Sequence, residues 1–205
     1  MIDHFYTIQH ESTGLYKEKG SKFIALAYPV TSITSINEQL ELLRKQYHDA
    51  RHHCYAYILG NDGKQFRAND DGEPNHSAGD PILGQIKSFN LTNTLVVVIR
   101  YFGGTKLGVS GLINAYKTSA EEALKSTKSI KVFITTPIKI TYPYSSTNEV
   151  MKLVNDFELS IIDHAFAEDC ILKAEVIISK HPLLLKELQL LSDTGHPIIF
   201  NNSLK

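Results

Sequence analysis

The sequence predicts an α+β protein of two domains, on the evidence of its length, its mixed periodicity and its uneven glycine and arginine content. Its 205 residues exceed an average domain, and helix and strand patterns alternate in both halves. All four arginines and eleven of the 12 glycines lie before residue 112. We expect an N-terminal domain over 1–129 that holds the functional site, and a C-terminal domain over 130–205 that serves as scaffold.

The elements of the first half follow from local patterns. Alternation and turn residues predict strands over 4–10, 23–30, 53–59, 64–68 and 94–102. Apolar stripes at helical spacing predict helices over 35–47, 77–89 and 110–124. Ser35 and Glu38 form a capping-box pattern, and Pro81 fits the first turn of its helix. Asn61-Asp62-Gly63 predicts a hairpin turn, and Leu95–Ile99 indicates a strand buried on both faces.

The second half has a simpler order of elements. Its patterns predict strands over 131–141, 159–167, 170–179 and 197–200, with helices that begin near Ser146 and Pro182. Ser146 and Glu149 repeat the capping-box pattern, and Gly195 ends the second helix. The order strand, helix, strand, strand, helix, strand predicts a ferredoxin-like βαββαβ domain.

Composition excludes several classes of protein. The formal net charge is −1, so no general positive field draws the chain to nucleic acid or membranes, and any polyanion site must be local. The longest aliphatic run, Leu95–Ile99, is far short of the roughly 20 residues of a membrane span. The first residues lack the pattern of a secretory signal, and Cys54 and Cys170 are too few for a disulfide framework. We expect a cytoplasmic protein with no membrane partner and no DNA sequence reading.

A glycine-rich loop follows the most strand-like segment of the chain. Arg100-Tyr101-Phe102-Gly103-Gly104-Thr105-Lys106-Leu107-Gly108 joins that strand to a helix, where free backbone N–H groups and the helix dipole favour an anion. Lys106 and Arg100 add positive charge. The loop matches neither the P-loop nor the dinucleotide pattern. A tight turn whose glycines only permit close packing is the alternative.

An acidic turn, Asp70-Asp71-Gly72-Glu73-Pro74, is the second candidate. Carboxylate oxygens bind Mg²⁺ and Ca²⁺, so Asp70, Asp71 and Glu73 are candidate metal ligands, although they do not match an EF-hand loop. Paired carboxylates can also perform acid–base chemistry. The alternative is structural: a turn whose carboxylates cap the next helix.

The histidines and cysteines do not form a nucleophile–base pair. Cys54 and His53 are adjacent on a predicted strand and therefore point to opposite faces. No cofactor is expected, with a divalent metal left open. The predicted strand over 170–179 has no aromatic residue, so the second half is not a standard RNA-recognition module. We favour a binding protein over an enzyme.

Several motifs taken together resemble the IMPACT/YigZ family. They are Asp70–Pro74, Ala78-Gly79, Pro81–Leu83 and Val97–Gly108, with support from Gly20–Phe23 and His53–Tyr57. The resemblance covers essentially the whole chain. It implies an IMPACT N-terminal domain, similar to domains of a small-subunit ribosomal protein and of elongation factor G, followed by a ferredoxin-like domain.

The resemblance also implies a role in translation. Eukaryotic relatives regulate initiation by binding the scaffold that activates a stress kinase, and nucleic-acid or ribosome binding is proposed for bacterial members. One departure concerns the loop after the acidic turn. The family pattern continues Ser-Gly-Thr-Ala-Gly, whereas this chain has Asn75-His76-Ser77-Ala78-Gly79, so an imidazole replaces a glycine.

Our hypothesis from the sequence is a translation-related regulator that binds RNA or a ribosomal component in a groove between the acidic turn and the glycine loop. The candidate anion contacts are Lys22, Arg67, Arg100 and Lys106, with Tyr101 as a stacking group and the loop glycines Gly103, Gly104 and Gly108. The acidic turn, Asp70, Asp71, Gly72 and Glu73, is a separate candidate segment on the other side of the groove. The alternatives are a metal-assisted enzyme that acts on a phosphorylated small molecule and a protein-interaction module without chemistry, so a translation-regulatory protein is a further candidate partner.

Overall fold

The structure is a computed structural model that describes residues 2–202; Met1 and residues 203–205, the outer ends of the two predicted domains, lie outside the described residues. The strands are β1 (His4–Ile8), β2 (Ser12–Glu18), β3 (Ser21–Pro29), β4 (His52–Leu59), β5 (Gln65–Asn69), β6 (Thr94–Tyr101), β7 (Ser129–Phe133), β8 (Thr135–Tyr142), β9 (Ser160–Phe166), β10 (Cys170–Ile177) and β11 (Ile199–Asn201). The helices are α1 (Ile33–Gln46), α2 (Gly79–Ser88), α3 (Gly108–Lys125), α4 (Thr147–Asp156) and α5 (His181–Asp193). One compact unit is Phe5–Val132, and the other holds residues 2–4 and the described residues from Phe133 onward.

A five-stranded antiparallel sheet organises the first unit, in the order β2-β3-β6-β4-β5. Successive side chains of a strand point to opposite faces, and both faces of this sheet are covered. Val96 and Val98 of β6 pack in the core that includes α2 and α3, whereas Leu95 and Val97 pack in the core that includes α1. The predicted double burial of β6 is therefore confirmed.

Two close contacts hold α3 against this sheet. The rings of Phe23 and Tyr116 meet edge to face with centroids 5.1 Å apart, a favourable aromatic arrangement. A Cβ at Gly14 of β2 would lie 2.3 Å from the backbone nitrogen of Ala123. Only glycine lets β2 approach the helix so closely.

The second unit has ferredoxin-like topology. Its antiparallel sheet has the order β11-β8-β10-β9, so the first and third strands of the βαββαβ repeat are central. Leu172 of β10, Val150 of α4 and Leu184 of α5 are buried in one core. The α+β fold predicted from the sequence is confirmed.

Several predicted elements differ in detail. β2 was not predicted. The segment 131–141, predicted as one strand, is divided at Ile134 between the two strands β7 and β8. The box that caps α1 is formed by Ser32 and Ser35, three residues upstream of the predicted pair. Ser146 makes no capping hydrogen bond; its hydroxyl lies 3.2 Å from Nδ1 of His196.

Across residues 2–202, no helix combines the length and the apolar character required to cross a membrane.

Candidate anion-binding site

Asp70 of the acidic turn closes the N-terminus of α2. Its Oδ1 accepts hydrogen bonds from the backbone N–H groups of Ala78 at 2.9 Å and Gly79 at 2.8 Å, and its Oδ2 accepts one from His76 at 2.9 Å. A helix leaves its first N–H groups without intrahelical partners, and a carboxylate there is stabilising. Asp70 therefore caps α2, as the structural interpretation of the acidic turn predicts.

Asp71 is engaged on the opposite side of the turn. Its Oδ1 accepts a hydrogen bond from Arg44 at 2.9 Å, and its Oδ2 accepts one from the backbone N–H of His53 at 2.7 Å. Partial burial favours the protonated acid, but these two donors outweigh it and hold the pKa of Asp71 below its ordinary value. Asp71 thus ties the turn to α1 and β4.

Glu73 anchors a buried polar chain. Its Oε1 accepts hydrogen bonds from Nη1 of Arg100 at 2.5 Å and from the Tyr116 hydroxyl at 2.8 Å. Sγ of Cys54 lies 3.3 Å from that hydroxyl and 2.9 Å from the carbonyl oxygen of Asp70. Burial raises the pKa of the Cys54 thiol and of the Tyr116 phenol, so both remain protonated and Cys54 is not a reactive thiolate.

The acidic turn does not fit a metal ion. Asp70, Asp71 and Glu73 turn to three different sets of partners, α2, Arg44 with β4, and Arg100 with Tyr116. Within the described range 2–202, no group of three or more His, Cys, Asp or Glu residues is arranged to hold a metal. This geometry favours the structural interpretation of the turn over the metal-ligand and acid–base alternatives.

The loop between β6 and α3 uses its glycines in two ways. Gly103 packs against the β2–β3 turn, because a Cβ there would lie 1.8 Å from the carbonyl carbon of Gly20; its N–H donates to the Ser21 hydroxyl at 3.1 Å. Gly104 and Gly108 have φ of +87° and +74°, and apart from adjacent backbone no heavy atom of residues 2–202 lies within 4 Å of the Cβ position of either residue. Gly103 therefore fits the alternative interpretation, in which the loop glycines only permit close packing, but Gly104 and Gly108 do not.

A cavity of about 470 Å³ lies between the acidic turn and this loop. Its lining residues are Arg51, His52, Glu73, Pro74, Arg100, Phe102, Lys106, Leu107, Gly108, Val109 and Leu112. The volume is within the roughly 300–1,000 Å³ range of small-ligand sites. One portion of the lining is basic and contains Arg51, Arg100 and Lys106. The other portion is apolar and contains Phe102, Leu107, Val109 and Leu112.

The first turn of α3 borders the cavity without a side-chain cap. Leu107 precedes the helix and supplies no acceptor, and among residues 2–202 no other side chain accepts a hydrogen bond from the N–H groups of Gly108, Val109 or Ser110. The positive end of the helix dipole therefore adds to the positive charge of the lining.

The Arg100 guanidinium is held firmly in the lining. The residue is only 7% exposed, and the guanidinium carbon lies 5.4 Å from the Phe23 ring centroid and 5.6 Å from that of Phe102. Nη1 is paired with Glu73, while the buried Nε has no hydrogen-bond partner in the described part of the chain. Arg51 and Lys106 are exposed and have no acidic partner in that part of the chain.

The predicted contact residues do not all meet in this cavity. Arg100, Lys106 and Gly108 line it, and Gly103 and Gly104 belong to the adjoining loop. Lys22 pairs with Tyr101 across β3 and β6, and alternation places both on the α1 face of the sheet, opposite Arg100. Arg67 lies opposite Tyr57 on the same α1 face.

Tyr101 is engaged in a contact of its own. Its hydroxyl donates to Asp49 at 2.7 Å, and this hydrogen bond raises the pKa of Tyr101 to about 12. The ring is partly buried against the α1 core. Tyr101 is therefore not part of the cavity, and Phe102, 57% exposed, is the aromatic ring that lines it.

Arg51 and His52 line the cavity but were not predicted. They lie just before and at the start of β4, almost 50 residues from the glycine loop, and no local pattern links the two segments. Nδ1 of His52 donates to the carbonyl oxygen of Asp71 at 2.8 Å. The opposite orientations of Arg100 and Tyr101, in contrast, follow from strand alternation alone.

The departure from the family motif has a visible structural consequence. His76 has φ of +64°, a left-handed conformation in which glycine is much less strained than histidine. Its Nδ1 lies 2.6 Å from Oδ2 of Asp80 in the first turn of α2. That hydrogen bond raises the pKa of the exposed imidazole.

Comparisons with known proteins agree with this architecture. The model of the Impact N-terminal domain matches residues 19–124. The IMPACT family member YvyE of Bacillus subtilis is 38% identical over 124 residues, which are 60% of this chain and 57% of that protein. YigZ of Escherichia coli is 29% identical over 79% of this chain and 80% of its own length.

A solved crystal structure, described as that of a hypothetical protein, has a TM-score of 0.71 with 24% identity and covers 100% of both chains. This likeness concerns the fold alone. The family assignment comes from the sequence match over residues 19–124, which contain the acidic turn, the glycine loop and every residue that lines the cavity. The chain belongs to the Impact N-terminal domain family.

Proposed function

We propose that this chain is a translation-related regulatory protein that binds an RNA strand, such as one exposed on a ribosomal particle, at the cavity beside α3. The translation part of the proposal comes from the family resemblance. The RNA part is carried by one observation: Arg51 and Lys106 flank the N-terminus of α3, and within residues 2–202 neither side chain has an acidic partner and no side chain caps that terminus.

The contact set differs from the one proposed from the sequence. Arg51 and Lys106 make the phosphate contacts, because they are exposed and carry uncompensated charge. Arg100 is mostly buried and paired with Glu73, so it shapes the floor of the site. Lys22, Arg67 and Tyr101 are left out because they lie on the other face of the sheet.

Two double variants of equal charge change test this assignment. Arg51→Ala/Lys106→Ala removes one arginine and one lysine from the cavity, and Lys22→Ala/Arg67→Ala removes the same pair from the α1 face. Each phosphate contact to a single strand contributes about 0.7 to the slope of log K against log salt. We expect the cavity variant to lower that slope by about 1.4 and the other variant to change it by less than half as much.

The binding measurement uses a fluorescent single-stranded RNA and a series of salt concentrations, with circular dichroism to verify that each variant is folded. Equal effects of the two double variants would mean that only overall charge matters and would remove the cavity from the proposal. Absence of binding to RNA and to purified ribosomal subunits at low salt would contradict the proposed function itself.

A protein-binding role is the second candidate, and it is favoured by the exposed apolar side chains of Phe102 and Val109 at the cavity. Such a complex would survive nuclease treatment and moderate salt. Recovery of one stoichiometric protein in that experiment, together with loss of binding in Phe102→Ala, would favour this role over RNA binding.

A further inference from the structure

The geometry points to a specific ligand chemistry for this cavity: a phosphate monoester attached to an aromatic base, as at the end of an RNA strand or in a free nucleoside monophosphate. The inference rests on the proposed function in one respect: it takes the same cavity as the binding site. It adds that the site recognises a terminal phosphate rather than the phosphodiesters within a strand.

Charge is the first argument. The lining contains three side chains that are always positive near neutral pH, Arg51, Arg100 and Lys106, and one carboxylate, Glu73. Glu73 is ion-paired with Arg100, so two positive charges remain, reinforced by the helix N-terminus. A phosphate monoester carries about −1.5 to −2 at pH 7, whereas a phosphodiester carries a single charge. The monoester is the closer match.

The buried guanidinium is the second argument, and it is independent of the helix terminus. Nε of Arg100 is buried and lacks an acceptor in the described part of the chain, although buried polar groups are nearly always hydrogen-bonded. The rings of Phe23 and Phe102 both lie within 5.6 Å of the guanidinium carbon, and Glu73 occupies Nη1. A phosphate oxygen is an acceptor suited to such a fixed arginine.

The apolar wall is the third argument. Phe102 is 57% exposed, and Leu107, Val109 and Leu112 continue the apolar surface from the uncapped helix terminus. Bases stack on exposed aromatic rings without sequence preference. A ligand with a phosphate at the α3 terminus and a base against Phe102 uses both portions of the lining, and the volume suits one nucleotide.

The test compares RNA ends. Fluorescence anisotropy is measured with octaribonucleotides that differ only in a 5′-phosphate or a 5′-hydroxyl, labelled at the 3′ end, and with the reciprocal pair that differs at the 3′ end. Adenosine monophosphate, adenosine and inorganic phosphate serve as competitors. We expect one phosphorylated end to bind at least ten-fold more tightly than its hydroxyl counterpart, with adenosine monophosphate a better competitor than adenosine.

Three exposed positions give variants that need not disturb the fold. Lys106→Ala is expected to abolish most of the preference for the phosphorylated end. Phe102→Ala is expected to weaken oligonucleotide and adenosine monophosphate binding alike while it leaves inorganic phosphate binding unchanged. Lys117→Ala, further along α3 and outside the cavity lining, is the charge-matched control.

The outcomes separate this inference from the proposed function. Equal binding of phosphorylated and hydroxyl ends, still dependent on Lys106, would overturn the inference and retain RNA binding. Binding of adenosine monophosphate with the same Lys106 dependence, without binding of any oligonucleotide, would support the monoester site with a free nucleotide as its source and contradict the proposed function. No binding of either would overturn both.

Discussion

The helices α2 and α3 pack side by side on one face of the sheet, but only the N-terminus of α2 is capped by a carboxylate of the described residues. α2 is closed by Asp70, whose carboxylate accepts from Ala78 and Gly79 at its start. α3 begins after an apolar residue, Leu107, and no carboxylate of residues 2–202 caps its first turn. The chain thus neutralises one helix dipole and leaves the other available to a ligand.

The acidic turn supplies one carboxylate to the N-terminus of α2 and another to the cavity beside α3. Asp70 serves α2, and Glu73, three residues later, neutralises Arg100 in the floor of the cavity beside α3. The first carboxylate caps a helix, while the second lowers the net positive charge of the cavity lining. Asp70 therefore has a structural role in α2, whereas Glu73 also determines how much positive charge the cavity carries.

The largest effect is expected for Glu73→Gln, which leaves Arg100 charged and largely buried. Removal of one partner of a buried ion pair is strongly destabilising, and because glutamine retains an acceptor we expect a loss of about 3 kcal/mol. The same change raises the net charge of the cavity, so anion affinity should increase several-fold. Urea denaturation and RNA binding measure the two effects. Glu121→Gln, at a residue that is paired with the exposed Lys125, is the control.

Opposite signs in these two measurements would be hard to obtain from general unfolding. A variant that loses stability and RNA affinity together would contradict the assignment of Glu73 as the neutralising charge of the cavity.

A smaller effect is expected at the closed helix terminus. Asp70→Ala leaves three N–H groups without their acceptor, and loss of a helix cap costs about 2 kcal/mol at the upper end of its range. The urea midpoint should fall while the salt dependence of RNA binding is retained. Asp62→Ala, in the exposed β4–β5 turn, removes a single backbone hydrogen bond from Lys64 and should lower the midpoint much less. An unaltered midpoint in Asp70→Ala would remove the capping role.

The smallest effect concerns His76, which leads into α2. His76→Gly removes the strain of a histidine in a left-handed backbone conformation, because glycine adopts that conformation readily. We therefore expect the melting temperature to rise by a few degrees. The gain depends on pH. Asp80 raises the pKa of His76 above its ordinary 6.5, so the charged pair stabilises the fold below that pH and is lost as pH rises through the folded-state pKa. The benefit of glycine should be larger at pH 8 than at pH 5.5, and the reverse order would exclude this account.

Local patterns predicted the fold well where a segment carries its own signal. Leu95–Ile99 indicated a central strand, and the order of elements after residue 130 indicated the ferredoxin-like unit. β2 was missed because Ser12, Thr13 and Gly14 are residues typical of a turn. Gly14 is required there by the backbone of α3, a contact that no local pattern reveals.

The sequence predicted that the acidic turn and the glycine loop lie close together, but it did not predict the set of residues that line the cavity between them. The acidic turn and the glycine loop do border one cavity, as the sequence hypothesis supposed. Arg51 joins them only through the pairing of β4 with β6, which is a tertiary relation. Lys22 and Arg67 were grouped with Arg100 on local charge, glycine placement and the family resemblance, and strand alternation separates them onto the other face of the sheet.

The contact between Gly103 and Gly20 has a consequence for the entropy of binding. Backbone meets backbone there, with the Ser21 hydroxyl bonded to the Gly103 N–H, so one end of the glycine loop is fastened before any ligand arrives. α3 fastens the other end from Gly108 onward. Between these two anchors lie only the four residues 104–107, and Leu107 among them already packs against the core, so any conformational entropy that the loop loses on binding is confined to a short segment.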